Sequence, residues 1–444
     1  MKLDLLKNKI AEAFSSLGVE EYELLYYFTG DCSVGTLNKE VNSFSSGDCG
    51  TLYVRALVDG RIGSASTEML AEGEMEELAL RAFNNAKAIE KLDTVGLFEG
   101  AEEYEPIRMP EYVPMGAGEL RSMAVELSEK MYDHSPYVKD GSTTTAMTAS
   151  YHIRLMNSHG LDLECRGGIN ALIGEAVIER DGESQSDYSF KAVGGDAVEE
   201  IAREAVDNAL AKVGADTIPS GKYDIIFSGK EMRAMLSVFA SAFSSKKALD
   251  GVSPLKDKEG EKIAADIVTI TDDPQREGNR CGINFDMEGV PTHRRAVIEN
   301  GVLKTLLYNR ETALKMGKES TGNAGRSGGA IDITNYSFCI EPGKTTLGEL
   351  FSMAEGGIYI TEIKGLHAGA NAITGDFSLE SEGFIIRGGK LCEAVKSFTV
   401  AGNFYELLKE ISALGDNLDT GVQTGFSGFG SPDVLVKGMS VAGK

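Results

Sequence analysis

Helix-forming and strand-forming stretches come in blocks along this chain, without regular alternation, and that order constrains the fold more than any other feature. Residues 3–17 place Leu3, Leu6, Ile10, Ala13, Phe14 and Leu17 at helical spacing, with Gly18 as a stop. Tyr22–Phe28 and Leu52–Val58 read as strands, and residues 71–91 return to helix with Met75, Leu78, Ala79, Ala82, Phe83 and Ala86 on one face. A helix near 117–133, strands from about 143 to 193 and a helix near 196–213 follow. The second half opens with a short strand, Tyr223–Phe227, and a helix over about 229–244, and then reads mostly as β. Hairpin signals recur at Asp59-Gly60, His159-Gly160, Asn300-Gly301 and Gly388-Gly389, pairs that tolerate the positive φ of a tight turn. Hairpin blocks of this kind predict an α+β fold of mainly antiparallel sheets with flanking helices.

Two stretches punctuate the pattern. Residues 92–116 are acidic and hold Pro106, Pro110 and Pro114, three of only ten prolines, which predicts a linker or an irregular crossing segment. Ala215–Lys222, with Pro219 and Gly221, marks the main boundary. Two main domains are expected: an N-terminal α+β domain over 1–214 and a β-rich domain over 222–444. A chain of 444 residues buries enough surface to fold without disulfide or metal staples.

Charge excludes some partners. Lys plus Arg number 44 and Asp plus Glu 68, a net charge of −24 with no basic tract. Nucleic-acid affinity rests on Lys and Arg contacts to phosphate, so no nucleic-acid partner is expected, nor an anionic membrane surface. No apolar run reaches the length of a membrane span, and Met1-Lys2-Leu3-Asp4-Leu5 begins a charged helical pattern, not a signal peptide. A cytoplasmic protein is expected. The six cysteines, none in a C-x-x-C pair, read as reduced thiols.

The residues alone single out no active site. None of the five histidines, His134, His152, His159, His293 and His367, pairs with another at i, i+4, and Cys281 with His293 lacks further ligands nearby. Gly229-Lys230 has Asp224 where a P-loop needs glycine, and the Gly322–Gly329 stretch leads into a strand-like Ile331–Thr334 instead of a helix. Gly325-Arg326-Ser327-Gly328-Gly329 matches G-x-S-x-G, but its flanks do not form a strand-to-helix elbow and only His367 lies downstream. The carboxylate pairs Asp286/Glu288 and Asp376/Glu380 could do acid–base chemistry, yet among 68 acidic residues such pairs are commonplace.

Some segments are more particular. Asp273-Pro274 leads through Gly278 to Asn284-Phe285-Asp286-Met287-Glu288-Gly289-Val290-Pro291-Thr292, then Ile298–Leu303 and Ser320-Thr321-Gly322-Asn323-Ala324-Gly325. Asn371-Ala372-Ile373-Thr374-Gly375-Asp376-Phe377-Ser378, Ala401-Gly402-Asn403 and Ser431-Pro432 follow. This order resembles the TldD/PmbA family, once labelled modulators of DNA gyrase and regarded as metallopeptidase components, and within it the PmbA (TldE) branch. The resemblance is dense from about 222 to 444, with weaker echoes at Gly50–Ser66 and Asn157–Gly160.

The resemblance implies a division of labour. The TldD branch carries a helical H-E-x-x-x-H motif that binds zinc and supplies a base; here Ser237, Val238 and Ala242 stand at the matching positions. Neither Val nor Ala can ligate zinc, and a lone serine hydroxyl is a poor ligand. The family likeness therefore implies a non-catalytic subunit, without its own cofactor, of a two-chain metallopeptidase that degrades or trims unfolded peptides. Zinc is expected in a TldD-type partner, with a homodimer possible in isolation. Asp286, Glu288, Thr292, Asn323, Arg326, Gly375, Asp376 and Phe377 are candidate peptide contacts. Two alternatives stand beside this reading: a homodimeric peptide- or partner-binding module without an enzymatic role, and an autonomous serine-type hydrolase using Ser327 with His367.

Overall fold

The structure is a computed structural model, and it describes residues 3–90, 92, 95–327 and 329–444. The N-terminal half is one antiparallel sheet with helices on one face. Its strands are β1 (Glu21–Leu37), β2 (Glu40–Val58), β3 (Arg61–Thr67), β4 (Thr143–Asn157), β5 (Asp162–Arg180) and β6 (Glu183–Ala192), in the order β3-β2-β1-β4-β5-β6. The side-chain alternation of a strand sorts the two faces. Leu24, Val34, Val54, Ala146, Met156 and Leu172 point to the helices α1 (Leu3–Ser16), α2 (Met75–Ala88), α3 (Ala117–His134) and α4 (Ala197–Ala211). Helix α2 lies so close to β3 that a Cβ on Gly63 would fall 2.1 Å from the Ala82 carbonyl oxygen, so only glycine fits there. Leu25, Tyr151, Ile153 and Leu155 point the other way, onto Cys281, Ile283, Phe285 and Tyr336 from the second half.

Two strands run further than the sequence reading of Tyr22–Phe28 and Leu52–Val58. β1 continues to Leu37 and β2 starts at Glu40, joined by a turn in which Asn38 and Lys39 have φ of 53° and 72°. The intervening Gly, Asp, Asn and Ser residues hide this extension, because they carry little strand propensity. Residues 95–116 form the irregular crossing segment. It is tied to the second half by Tyr104 Oη donating to the Gly289 carbonyl at 2.8 Å and Asn284 Nδ2 donating to the Glu105 carbonyl at 2.7 Å.

The second half begins with β7 (Gly221–Phe227) and α5 (Gly229–Phe239), whose N-terminus is capped by Ser228 Oγ accepting from the Glu231 N–H. The helix expected over 229–244 stops being α-helical at Phe239; a 3₁₀ turn, Ala240–Phe243, and the short α6 (Ser245–Leu249) complete it. Then come β8 (Ile270–Asp273), β9 (Arg295–Glu299), β10 (Val302–Leu303), α7 (Arg310–Met316), β11 (Ala324–Ser327), β12 (Ala330–Ile333) and β13 (Ser337–Ile340). The chain ends with α8 (Leu347–Met353), β14 (Ile358–Lys364), α9 (Leu366–Gly369), β15 (Asp376–Arg387), β16 (Lys390–Asn403), α10 (Phe404–Glu410), β17 (Ile411–Leu414), β18 (Gly428–Gly430) and β19 (Val434–Ala442).

These strands form a sheet in the order β10-β9-β8-β13-β18, a β11–β12 ribbon, and a sheet in the order β16-β15-β14-β7-β19-β17. The last sheet closes on itself, because β16 also pairs with β19 through Val400 and Val441. β7, β14, β15, β16 and β19 thus make a ring without a free edge. One core joins Ile225, Phe227, Ile358, Ile360, Val400 and Val436 of this ring to Met232, Met235 and Phe239 of α5. The whole is an α+β fold of mainly antiparallel sheets with flanking helices. Among the described residues, no helix is long and apolar enough to cross a membrane.

Candidate functional site: a buried charge cluster beside a cavity

The loop 286–292 is built around one carboxylate. Asp286 is fully buried; its Oδ1 accepts from the backbone N–H of Glu288 at 2.9 Å and Val290 at 3.0 Å, and its Oδ2 from the Ala324 N–H at 2.9 Å. Burial and then the nearby Glu288 raise its affinity for a proton, while those three donors oppose the rise. Glu288 accepts from the Arg310 N–H at 3.0 Å, and burial raises it too. Thr292 donates to the Ile283 carbonyl at 2.8 Å and closes the loop.

Across from this loop, β11 sends Arg326 into the N-terminal sheet. Its Nη2 donates to Glu23 Oε1 of β1 at 2.5 Å and to the Met287 carbonyl at 3.2 Å, and Arg55 Nη1 of β2 reaches the same Glu23 oxygen at 3.3 Å. All three side chains are less than one-tenth exposed. Burial works to raise Glu23, but the two guanidinium groups outweigh it and hold the carboxyl below its usual range. Arg326 Nε is buried with no acceptor. A further buried carboxylate, Asp272, accepts from Asn323 Nδ2 and from the Tyr336 N–H, each at 2.7 Å. Burial pushes it up to about 7.

Beside Arg326 lies a cavity of about 490 Å³, walled by Leu25, Tyr27, Tyr53, Met287, Tyr336 and Phe426 and floored by Ala324–Arg326 and Thr424–Ser427. The structure thus brings Asp286, Glu288, Thr292, Asn323 and Arg326 into one region, where Arg326 alone of the five lines this cavity. Glu288 lines a smaller one of about 260 Å³ with Arg55 and Ser64. Gly375, Asp376 and Phe377 lie elsewhere, at the start of β15. Phe377 is buried in the core of the ring, and Asp376 accepts from Asn403 Nδ2 at 2.9 Å. Sequence reasoning missed Glu23, Tyr27, Arg55, Tyr53 and Phe426. Glu23 left a signal: a carboxylate in step with Leu25 and Tyr27 on an apolar strand face is out of place unless it is paired.

Cys281 and His293 do not assemble into a metal pair. Cys281 is buried while His293 is exposed and turned to Glu105 Oε1 at 3.0 Å. His367 is exposed on α9, and the Ser327 side chain and Gly328 of the G-x-S-x-G match lie outside the described residues. On α5, Ser237 Oγ donates to the Ala234 carbonyl at 2.7 Å and Val238 packs on the core; Ala242, in the 3₁₀ turn that follows, is 3% exposed inside it. These three side chains do not fit a zinc ion. Among the described residues, no three His, Cys, Asp or Glu side chains are placed to hold a metal.

Comparison with known proteins identifies the family. The model for the PmbA/TldA metallopeptidase C-terminal domain matches residues 220–443, and that for the central domain matches residues 112–213. The chain belongs to the PmbA/TldD metallopeptidase family. A relative of this family, a metalloprotease of Methanothermobacter thermautotrophicus, is 29% identical, with 91% of each chain covered. The metalloprotease PmbA of Escherichia coli O157:H7 is 24% identical over 94% of this chain and 91% of its own. A crystal structure from Thermotoga maritima, described as a modulator of a DNA gyrase, superposes with a TM-score of 0.89 at 29% identity, covering 99% of this chain and 100% of its own. TldE from Thermococcus kodakarensis shares the fold at a TM-score of 0.88 and 24% identity, over 98% and 99%.

Proposed function

We propose that this PmbA/TldD-type chain is the non-catalytic subunit of a two-chain metallopeptidase that degrades or trims unfolded peptides. What supports this reading lies on α5 and the 3₁₀ turn after it, where the family resemblance matches Ser237, Val238 and Ala242 to the positions of a zinc-binding H-E-x-x-x-H motif. None offers the imidazole or carboxylate that zinc and water activation require. A TldD-type partner supplies zinc and general base, and this chain helps enclose the cavity and hold extended peptide. The net charge of −24 favours neither nucleic acid nor an anionic membrane as partner, and the complex acts in the cytoplasm.

The test is peptidase activity on an unfolded peptide, with zinc measured on the same sample. The chain is assayed alone and mixed with a TldD-type partner. Silence and absence of zinc alone, with activity on mixing, supports the reading. Zinc-dependent cleavage by the purified chain alone overturns it. Peptide binding without any rise in the partner's activity favours a homodimeric binding module instead.

A further inference from the structure

The cavity beside Arg326 has a chemistry of its own. Tyr27 of β1, Tyr53 of β2 and Phe426 of the loop before β18 give it aromatic walls, with Leu25 and Met287 between them. Phe426 is held edge-on against Tyr151, ring centroids 4.3 Å apart. Its volume of about 490 Å³ lies within the range of small-ligand sites and exceeds what one amino-acid side chain needs. Arg326 puts a guanidinium in this apolar setting with a side chain only 4% exposed. Its Nη2 is committed to Glu23 and the Met287 carbonyl, while its Nε has no acceptor.

The charges are unequal. Arg55 and Arg326 both turn to the single carboxylate of Glu23. Glu288, the other carboxylate near Arg55, faces the Arg310 N–H, and burial disfavours its charged form, as it does for Asp286. Burial disfavours the charged form of Arg326 too, yet its guanidinium is the one charged side chain among the described residues that line this cavity, so the wall favours an anion over an ammonium or guanidinium group. A ligand with an aromatic ring and an anion a few bonds away meets both demands, and the C-terminal residue of a peptide carries both on one Cα. A carboxylate can accept from a guanidinium by charge-assisted hydrogen bonds, which an amide cannot match.

We propose that this cavity binds the C-terminal residue of an extended peptide, with an aromatic side chain among Tyr27, Tyr53 and Phe426 and the free α-carboxylate on Arg326. The inference rests on the reading of this chain as a peptide-handling subunit, and adds which end of the peptide it takes and which side chain it prefers. An internal peptide segment brings no such charge, and a C-terminal lysine brings the wrong one.

Calorimetric titration of the full chain tests this with N-acetyl-Gly-Gly-Phe, its C-terminal amide, and N-acetyl-Gly-Gly-Lys. The Phe acid is expected to bind, with the amide and the Lys peptide each weaker by about tenfold or more. Tyr53→Ala, checked for folding by circular dichroism, should weaken the acid by a similar factor, and Arg326→Gln should abolish the preference for acid over amide. If Arg326→Gln does not fold, the acid-to-amide ratio on the unaltered chain and the Tyr53→Ala result decide. Equal binding of acid and amide, or no binding of the acid at millimolar concentration, overturns the proposal. The mixing assay with a TldD-type partner is independent: activation there without binding here sinks only this inference.

Discussion

Arg326 and Glu23 lie 303 residues apart in sequence, yet the guanidinium Nη2 donates to the carboxylate Oε1 at 2.5 Å. This contact joins the β11 ribbon to the first strand of the N-terminal sheet, in a setting where both side chains are 4% exposed or less. Removing one partner of a buried pair leaves the other charge uncompensated, which costs far more than a surface ion pair contributes. Here two guanidinium groups depend on one carboxylate. Glu23→Gln is therefore expected to destabilise the chain by about 3–5 kcal/mol, read as a lower urea midpoint. A loss below about 1 kcal/mol, the range of an exposed pair, would contradict the burial described.

Asp272 makes stability depend on pH. Its folded-state pKa is pushed from an ordinary 3.8 up to about 7 by burial. The native state therefore holds a proton there that the unfolded chain has released, so its contribution is present at low pH and is lost as pH rises through about 7. In Asp272→Asn the site no longer titrates. The variant should show a flatter urea midpoint between pH 4 and 7 than the parent chain. It should also be less stable at the acid end by about 1–3 kcal/mol, because an amide has one acceptor for the two donors, Asn323 Nδ2 and the Tyr336 N–H. Parallel pH profiles for the two chains would count against this assignment.

Introducing H-E-x-x-x-H residues over Ser237–Ala242 should not create a metal site. Ala242 sits in the 3₁₀ turn, 3% exposed, and its carbonyl accepts from Ser253 Oγ at 2.5 Å. An imidazole at that position must displace core side chains. Ala242→His is expected to cost about 1–3 kcal/mol by overpacking. The triple variant Ser237→His, Val238→Glu, Ala242→His should purify without stoichiometric zinc. Thermal melts and elemental analysis check both statements; a fully zinc-loaded, stable triple variant would refute them.

Phe377 is part of the ring's core, not a surface contact, at 4% exposure. Phe377→Ala should cost about 3–5 kcal/mol through lost packing and the cavity left behind. Gly375 has φ +85°, and a Cβ there would lie 2.5 Å from the Tyr405 ring, so Gly375→Ala should also destabilise, by about 1–3 kcal/mol. Denaturant titration separates these from binding defects: near-parental stability for Phe377→Ala would rule out the packing role.

Elements whose signals are local can be read along the chain. Helical spacing located α1 to α4, and turn residues located hairpins such as Asp59-Gly60, with φ of 49° and 72°. The segments Asn284–Thr292 and Asn371–Ser378 pointed to the family. These are legible because a turn or an amphipathic face is set by neighbours a few residues away. The extension of β1 to Leu37 was not legible, since Gly30, Asp31, Ser33 and Gly35 break up the strand pattern and take their conformation from the strands beside them. The tertiary structure alone decided the closing of the ring through Val400 and Val441, the burial of Glu23, Arg55 and Arg326 together, and the aromatic cavity they adjoin. Charge pairing and cavity shape depend on how distant faces dock, and along the chain a carboxylate bound for the interior carries the same letter as one bound for water.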